Sequence, residues 1–121
     1  MRGTGGGPGI LVDNVGGGAL AVTVKNGAIE GFTEGIKSGA ATANPLIDTS
    51  PRFIGLRISH NGTGISSLAD FHLTLQDSSI IDNTQNGVTL SFAKVATVQN
   101  NLIASNGGDG INASNESDGN I

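Results

Sequence analysis

His60, Asp82 and Ser105 are the residue types of a nucleophilic relay, and they occupy equivalent places in three similar stretches, SHNG, IDNT and ASNG. A working triad holds the histidine between the carboxylate and the hydroxyl, so that one imidazole nitrogen takes the hydroxyl proton while the acid steadies the other. Here the acid is the middle member. If the stretches stack, Asp82 separates the other two, and the column, which Gly31 begins, reads as a solvent-facing polar row with a His60 to Asp82 hydrogen bond rather than as a catalytic relay. Paired carboxyls for glycoside cleavage would need to lie about 5 to 10 Å apart. Glu34 and Asp109 share a place in the pattern but sit three repeats from each other. Asp77 aligns with Asn26 and Asn100, where turn formation explains an Asp.

Two glycine-rich stretches carry no chemistry. GTGGGPG lacks the Gly-Lys-(Ser/Thr) ending of a phosphate loop. NGGDG at Asn106 to Gly110 lacks the repeated Gly-Gly-x-Gly-x-Asp spacing of calcium-binding nonapeptides. No cysteine is present, which removes disulfides and thiolate metal sites. Three sequons, beginning at Asn61, Asn112 and Asn115, arise readily in a chain so rich in Asn, Ser and Thr. No catalytic residue and no metal ligand is assigned. The candidate ligand-binding residues are Lys37, Asp48, Arg52, Arg57, His60 and Asp82. The first three fall in KSGAATANPLIDTSPR, Lys37 to Arg52, which reads as an insertion loop because it holds the surplus length of the first step between Gly-(Ile/Val) pairs, and Pro45 and Pro51 cannot donate in a ladder. Long loops on rigid scaffolds are where binding residues gather.

The scaffold that must position these groups is one pattern written repeatedly. From Leu75 against Val98, a constant step pairs Gln76 with Gln99, Asp77 with Asn100, Ile80 with Ile103, Asn83 with Asn106 and Gly87 with Gly110. Two earlier turns follow the template, through Val22, Val24, Ile29, Gly35 and Ile36, then Phe53, Ile58, Asn61, Gly64 and Ile65. A period of about 20 to 25 residues suits a solenoid built of short strands and is too short for paired helices. Apolar residues alternate with polar ones in runs of a few residues, which predicts three brief strands per turn. The predicted core comprises Val22, Val24, Ile29, Ile36, Ile58, Ile65, Leu73, Leu75, Ile80, Val88, Leu90, Val98, Ile103 and Ile111.

The phrases VTVKNGAIEGFTEGI, RISHNGTGI, IIDNTQNGV and IASNGGDGI resemble the right-handed parallel β-helix repeats of the pectate-lyase-like superfamily. The nearest flavour is its carbohydrate-binding and sugar-hydrolase domains and NosD-type periplasmic proteins. The resemblance covers Gly9 to Ile121 and implies an all-β fold, a right-handed parallel β-helix of about four coils of roughly 23 residues each. By resemblance the chain is expected to be extracellular or periplasmic. It is expected to be a non-catalytic structural or recognition segment whose ligand class is polysaccharide, the alternative being part of a lyase, hydrolase or epimerase. Ca²⁺ enters only with the lyase alternative; otherwise no cofactor is expected. The resemblance is to a fold that carries many activities, so it does not name one.

Composition agrees with a turn-rich solenoid. The 121 residues, read as a single domain, include 20 glycines, well above the usual share of about 7%. The net charge of −4 and the scatter of the six Lys and Arg residues give no nucleic-acid footprint. No apolar run approaches membrane-spanning length. Four phenylalanines and no Trp or Tyr leave little material for a sugar-stacking platform, and most of the phenylalanines are expected to pack inside the coil or under a loop. Residues 1–9 read as a flexible lead-in without the apolar stretch of a secretory signal. Neither end shows a cap, so the expectation is a fragment of a longer β-helix, marginally stable or self-associating end to end through uncovered coils. A sharply two-state monomer would count against that.

Overall fold

The structure is a computed structural model and describes residues 1–14, 18–39 and 48–114, without the side chain of Asp48. Eleven strands appear among these residues: β1 Pro8–Asp13, β2 Ala19–Glu30, β3 Glu34–Gly39, β4 Asp48–Ser59, β5 Thr63–Leu68, β6 His72–Gln76, β7 Ser79–Ile81, β8 Val88–Ser91, β9 Val95–Gln99, β10 Leu102–Ala104 and β11 Ile111–Ser114. All pairings between them are parallel. One sheet has the order β1-β3-β5-β8-β11; the other runs β10-β7-β4-β6-β9, with β2 also paired to β4. Each strand therefore pairs with its counterpart a coil away, as a parallel β-helix requires.

The corners explain why short strands wind into a coil. Asn26, Gly55, Asp77 and Asn100 form one column with φ of 57°, 64°, 52° and 55°. Gly31, His60, Asp82 and Ser105 form a second, with φ of 82°, 56°, 54° and 55°. Ala69 and Phe92 make a third, at 59° and 57°. A single residue in the left-handed region reverses the local twist and turns the extended chain sharply. The cost for most side chains is about 1 to 2 kcal/mol, and less for Asn and Asp. The chain meets that cost with packing, repeated at every rung.

Inside the triangle Ile36, Phe53, Ile58, Ile65, Leu75, Ile80, Val88 and Leu90 are completely buried, with Ile29 and Leu73 nearly so. Alternation along each strand puts these side chains inward and their neighbours outward. Val24, Val98 and Ile103 pack partly buried against this core, and Val22 is half-buried. Ile111, on the last described rung, is 40% exposed and does not join the core. Leu56, Ala93 and Ala96 do, although the spacing did not single them out.

Three expectations change. First, β1 adds a rung above the four marked by Gly-(Ile/Val) pairs, because Ile10 sits in register with Ile36. Gly9-Ile10 was the fifth such pair. Second, residues 1–9 are not a free lead-in: Gly3 donates to the Glu30 carbonyl at 2.8 Å, Gly5 to that of Gly31 at 2.7 Å, and Pro8 opens β1. Third, the ends of the segment Lys37 to Arg52 are strand and not loop. Lys37, Ser38 and Gly39 belong to β3, and Asp48 to Arg52 to β4. Pro51 stands in the β2–β4 ladder opposite Val22, so a proline misled the boundary. Residues 40–47 lie outside the described set.

Candidate functional site

The six candidate residues are ordered by register, and the register separates them. Lys37 points outward from β3, in a column with Leu11 and Ser66, and its ammonium lies 3.5 Å from Glu34. Asp48 opens β4 opposite Ala19. Arg52 is no loop residue; it stands between Thr23 and Thr74 in the outward threonine column that continues to Thr97. Arg57 lies beyond the first corner, between Ala28 and Ser79, and is exposed. His60 and Asp82 occupy the second corner. Alternation along an extended strand fixes these directions: Phe53 goes in, so Arg52 goes out.

The His60 to Asp82 hydrogen bond is not formed. Both are exposed, and the bonds in their column are backbone ones, from Gly31 N–H to the His60 carbonyl at 3.2 Å and from Asp82 N–H to the Ala104 carbonyl at 3.4 Å. A left-handed corner turns each side chain away from the coil, where water competes for every polar atom. The column is a bend made four times over, and that accounts for Gly, His, Asp and Ser sharing it.

Among the described residues, candidate residues line two hollows. One, a half-open groove of about 370 Å³, is walled by Pro8, Leu11 and Leu68 with Asp13, Lys37 and Ser38 at its polar edge. The other, about 260 Å³, lies between Arg2, Glu30 and His60. The Arg2 guanidinium there is 3.3 Å from Glu30, a largely exposed pair worth at most about 1 kcal/mol. No group of three or more His, Cys, Asp or Glu that could hold a metal ion occurs among the described residues.

The columns next to the corners carry repeated side-chain hydrogen bonds. Asn83 Oδ1 accepts from the Asn61 backbone N–H at 3.0 Å and from its side-chain amide at 3.2 Å. Asn106 Oδ1 accepts likewise from Asn83, at 3.1 and 2.9 Å. The amide groups of Asn61 and Asn106 also donate to the carbonyls of Ile29 and Ile80 at 3.2 and 3.1 Å. At the top the Phe32 N–H donates to Asn61 Oδ1 at 3.0 Å. Asn61 and Asn83 are each 1% exposed, so the sequon at Asn61 is closed to any glycosyl transfer in the folded chain. A smaller version sits by the first corner. Ser78 N–H donates to Asn101 Oδ1 at 2.9 Å, and Leu56 N–H donates to Ser78 Oγ at 3.1 Å.

Sequence reasoning missed Asp70. It is completely buried beside the third corner, its oxygens accepting from Ser38 Oγ at 3.2 Å and Ser67 Oγ at 2.6 Å. Burial pushes its carboxyl from 3.8 up to about 6, against the opposing pull of the two hydroxyls. An Asp just after a strand reads as turn chemistry, and nothing in its neighbours signals that it turns inward. The phenylalanines divide: Phe53 is buried, Phe32 packs partly buried on the core, Phe71 lies under the Lys94 ammonium at 4.9 Å, and Phe92 is 44% exposed.

No curated protein and no solved structure matches the chain. A family model described as the right handed beta helix region matches residues 8–121. The stacked parallel strands fit that description, and the chain belongs to the right-handed β-helix family.

Proposed function

We propose that this chain is a non-catalytic structural or recognition segment of a larger extracytoplasmic parallel β-helix protein, with polysaccharide as its ligand class. The observation that carries the reading is the dispersal of the charged groups. Lys37 is on one sheet, Arg52 and Arg57 flank the first corner, and His60 and Asp82 cap the second. Acid–base chemistry requires groups within hydrogen-bond reach of one substrate atom. Beside these groups lie outward rows of hydroxyl and amide, Thr74 with Thr97 in one, which Arg52 separates from Thr23, and Gln76 with Gln99 in another. Rows repeating at about 4.8 Å can exchange hydrogen bonds with the hydroxyls of an extended sugar chain, each contact weak and the sum growing with length. End-to-end stacking of coils and an extracellular or periplasmic setting belong to the same reading.

A binding screen of the purified chain tests it, using acidic and neutral polysaccharides with and without Ca²⁺ and following unsaturated-product absorbance in the same wells. Saturable binding without product is the expected outcome. Product formation would replace the reading with the lyase one, and folded chain that binds nothing would leave only the structural role.

A further inference from the structure

Among the described residues Asp70 is the only buried ionisable side chain. Its carboxyl joins two successive coils, taking a hydrogen bond from Ser38 on β3 and one from Ser67 on β5. No cation faces it. Of the charged groups on the elements around it, Lys37 is paired with Glu34 and the Lys94 ammonium rests on the Phe71 ring. Asp13 on β1, Arg52 and Arg57 on β4 and His72 on β6 are exposed, and Asp48 opens β4. Residues 40–47 contain no ionisable side chain.

One coil further on, the same corner is closed without an acid. Leu90 follows Ser67 in register, and Ala93 takes the place of Asp70; both are completely buried. The architecture therefore does not need a carboxyl at this point. We propose that Asp70 is a proton-operated fastening between β3 and β5: buried without a cation, the carboxyl holds the two strands together best when neutral, and ionisation, which leaves a charge that the two serine hydroxyls offset only in part, loosens them. The groove lies directly alongside, because Ser38 and Leu68 line it. Proton uptake would thus stiffen one wall of that groove, and proton loss would free it.

The direction follows from the acidity. Burial raises the carboxyl from 3.8 to about 6, so the folded chain holds this proton more tightly than the unfolded chain does. Stability from this group is full at low pH, falls as pH rises between the two values, and is flat above them. The displacement corresponds to on the order of a hundredfold in the folding equilibrium.

Chemical denaturation of the full chain between about pH 4 and about pH 7.5 tests the fastening, wild type against Asp70→Asn. The amide keeps the shape of the neutral acid and cannot ionise. The expected result is that wild type loses on the order of a hundredfold more than the variant over this range. Equal losses would overturn the proposal. Should Asp70→Asn fail to fold, carboxyl-carbon NMR of the wild type gives the answer directly: a midpoint near 6 supports the fastening, and one in the ordinary range of about 4 removes it. Hydrogen exchange locates the loosening. The Ala69 and Phe71 amides, bonded to the Ser91 and Thr49 carbonyls, should lose protection above the midpoint once intrinsic rates are corrected, and unchanged protection would refute the local opening.

Discussion

The second and third corners hold buried polar groups in opposite ways. Beside the second corner, Asn61, Asn83 and Asn106 form a ladder in which each amide oxygen accepts from the coil above, the Asn61 and Asn83 side-chain nitrogens donate to the next asparagine and that of Asn106 donates to the Ile80 carbonyl. Beside the third, Asp70 meets two serines in a single place and is succeeded by alanine. Burying an amide costs several kcal/mol unless its donors and acceptors are matched. A repeating coil supplies the match, because the same residue recurs one rung away. A residue that occurs once must find partners of a different kind, and a lone carboxyl finds them only in part. Repetition makes the asparagines structural; singularity makes Asp70 responsive.

The most damaging way to break the ladder is through the backbone beside it. A Cβ on Gly64 would collide with the Gly87 carbonyl and lie 2.6 Å from Ile80 Cγ2 and 3.1 Å from the Asn83 amide nitrogen. On Gly110, at the last described rung, its nearest neighbour would be Ile103 Cγ2 at 3.6 Å, an ordinary contact. Gly64→Ala should therefore cost about 4 kcal/mol or more, as overpacking against backbone with a broken ladder does. Gly110→Ala should cost less than about 1 kcal/mol. Urea midpoints of the two variants measure the contrast, and similar losses would mean that the stacked glycines do not set the coil spacing.

Asn83→Ala attacks the ladder from within. It strips the acceptor from two Asn61 donors and the amide donor from Asn106 Oδ1. Leaving buried groups unsatisfied costs about 1 to 3 kcal/mol each, so a total near 3 kcal/mol is expected, partly relieved where water enters. The loss should be nearly independent of pH, since amides do not titrate. That flat profile against the sloping one of Asp70 is the sharpest form of the comparison, and denaturation series of both variants across pH would display it.

Much of this was legible in the sequence. Asn83 paired with Asn106 and Gly87 with Gly110 at a constant step, and a constant step is what a coil writes into a chain. The inward positions followed from alternation, and Ile58, Ile80 and Leu90 are buried as alternation requires. What did not repeat was misread. Gly9-Ile10 lies a coil before the first clear match, so the count stops at four and a lead-in of residues 1–9 overlaps the start of β1 at Pro8 and Gly9. Pro51 looked like loop punctuation, yet it stands within β4, which drew Lys37 and Arg52 into a loop they do not form. Asp70 aligns with Ala93 and not with another acid, so nothing in the repeat marks a carboxyl as inward. Periodicity reports the average coil and is silent on the exception.

The smallest expected effect concerns the residue that looked most like chemistry. His60 stands at φ 56° on an exposed corner, where its bonding in the coil is through the backbone. Asparagine visits the left-handed region more readily than most residues and already fills the first corner at Asn26 and Asn100. His60→Asn should therefore shift stability by no more than about 0.5 kcal/mol, and in the stabilising direction if the corner conformation is the only demand. Polysaccharide binding, if present, should survive the change when it rests on the Thr and Gln rows, because those lie on the strands and not on the second corner. A loss exceeding about 1 kcal/mol would show that the imidazole makes a contact the corner does not need. A selective loss of binding with stability intact would move the recognition surface to the hollow shared by Arg2, Glu30 and His60. Either result would give the second corner a singular residue of its own, and the division between repeated and responsive corners would fail there.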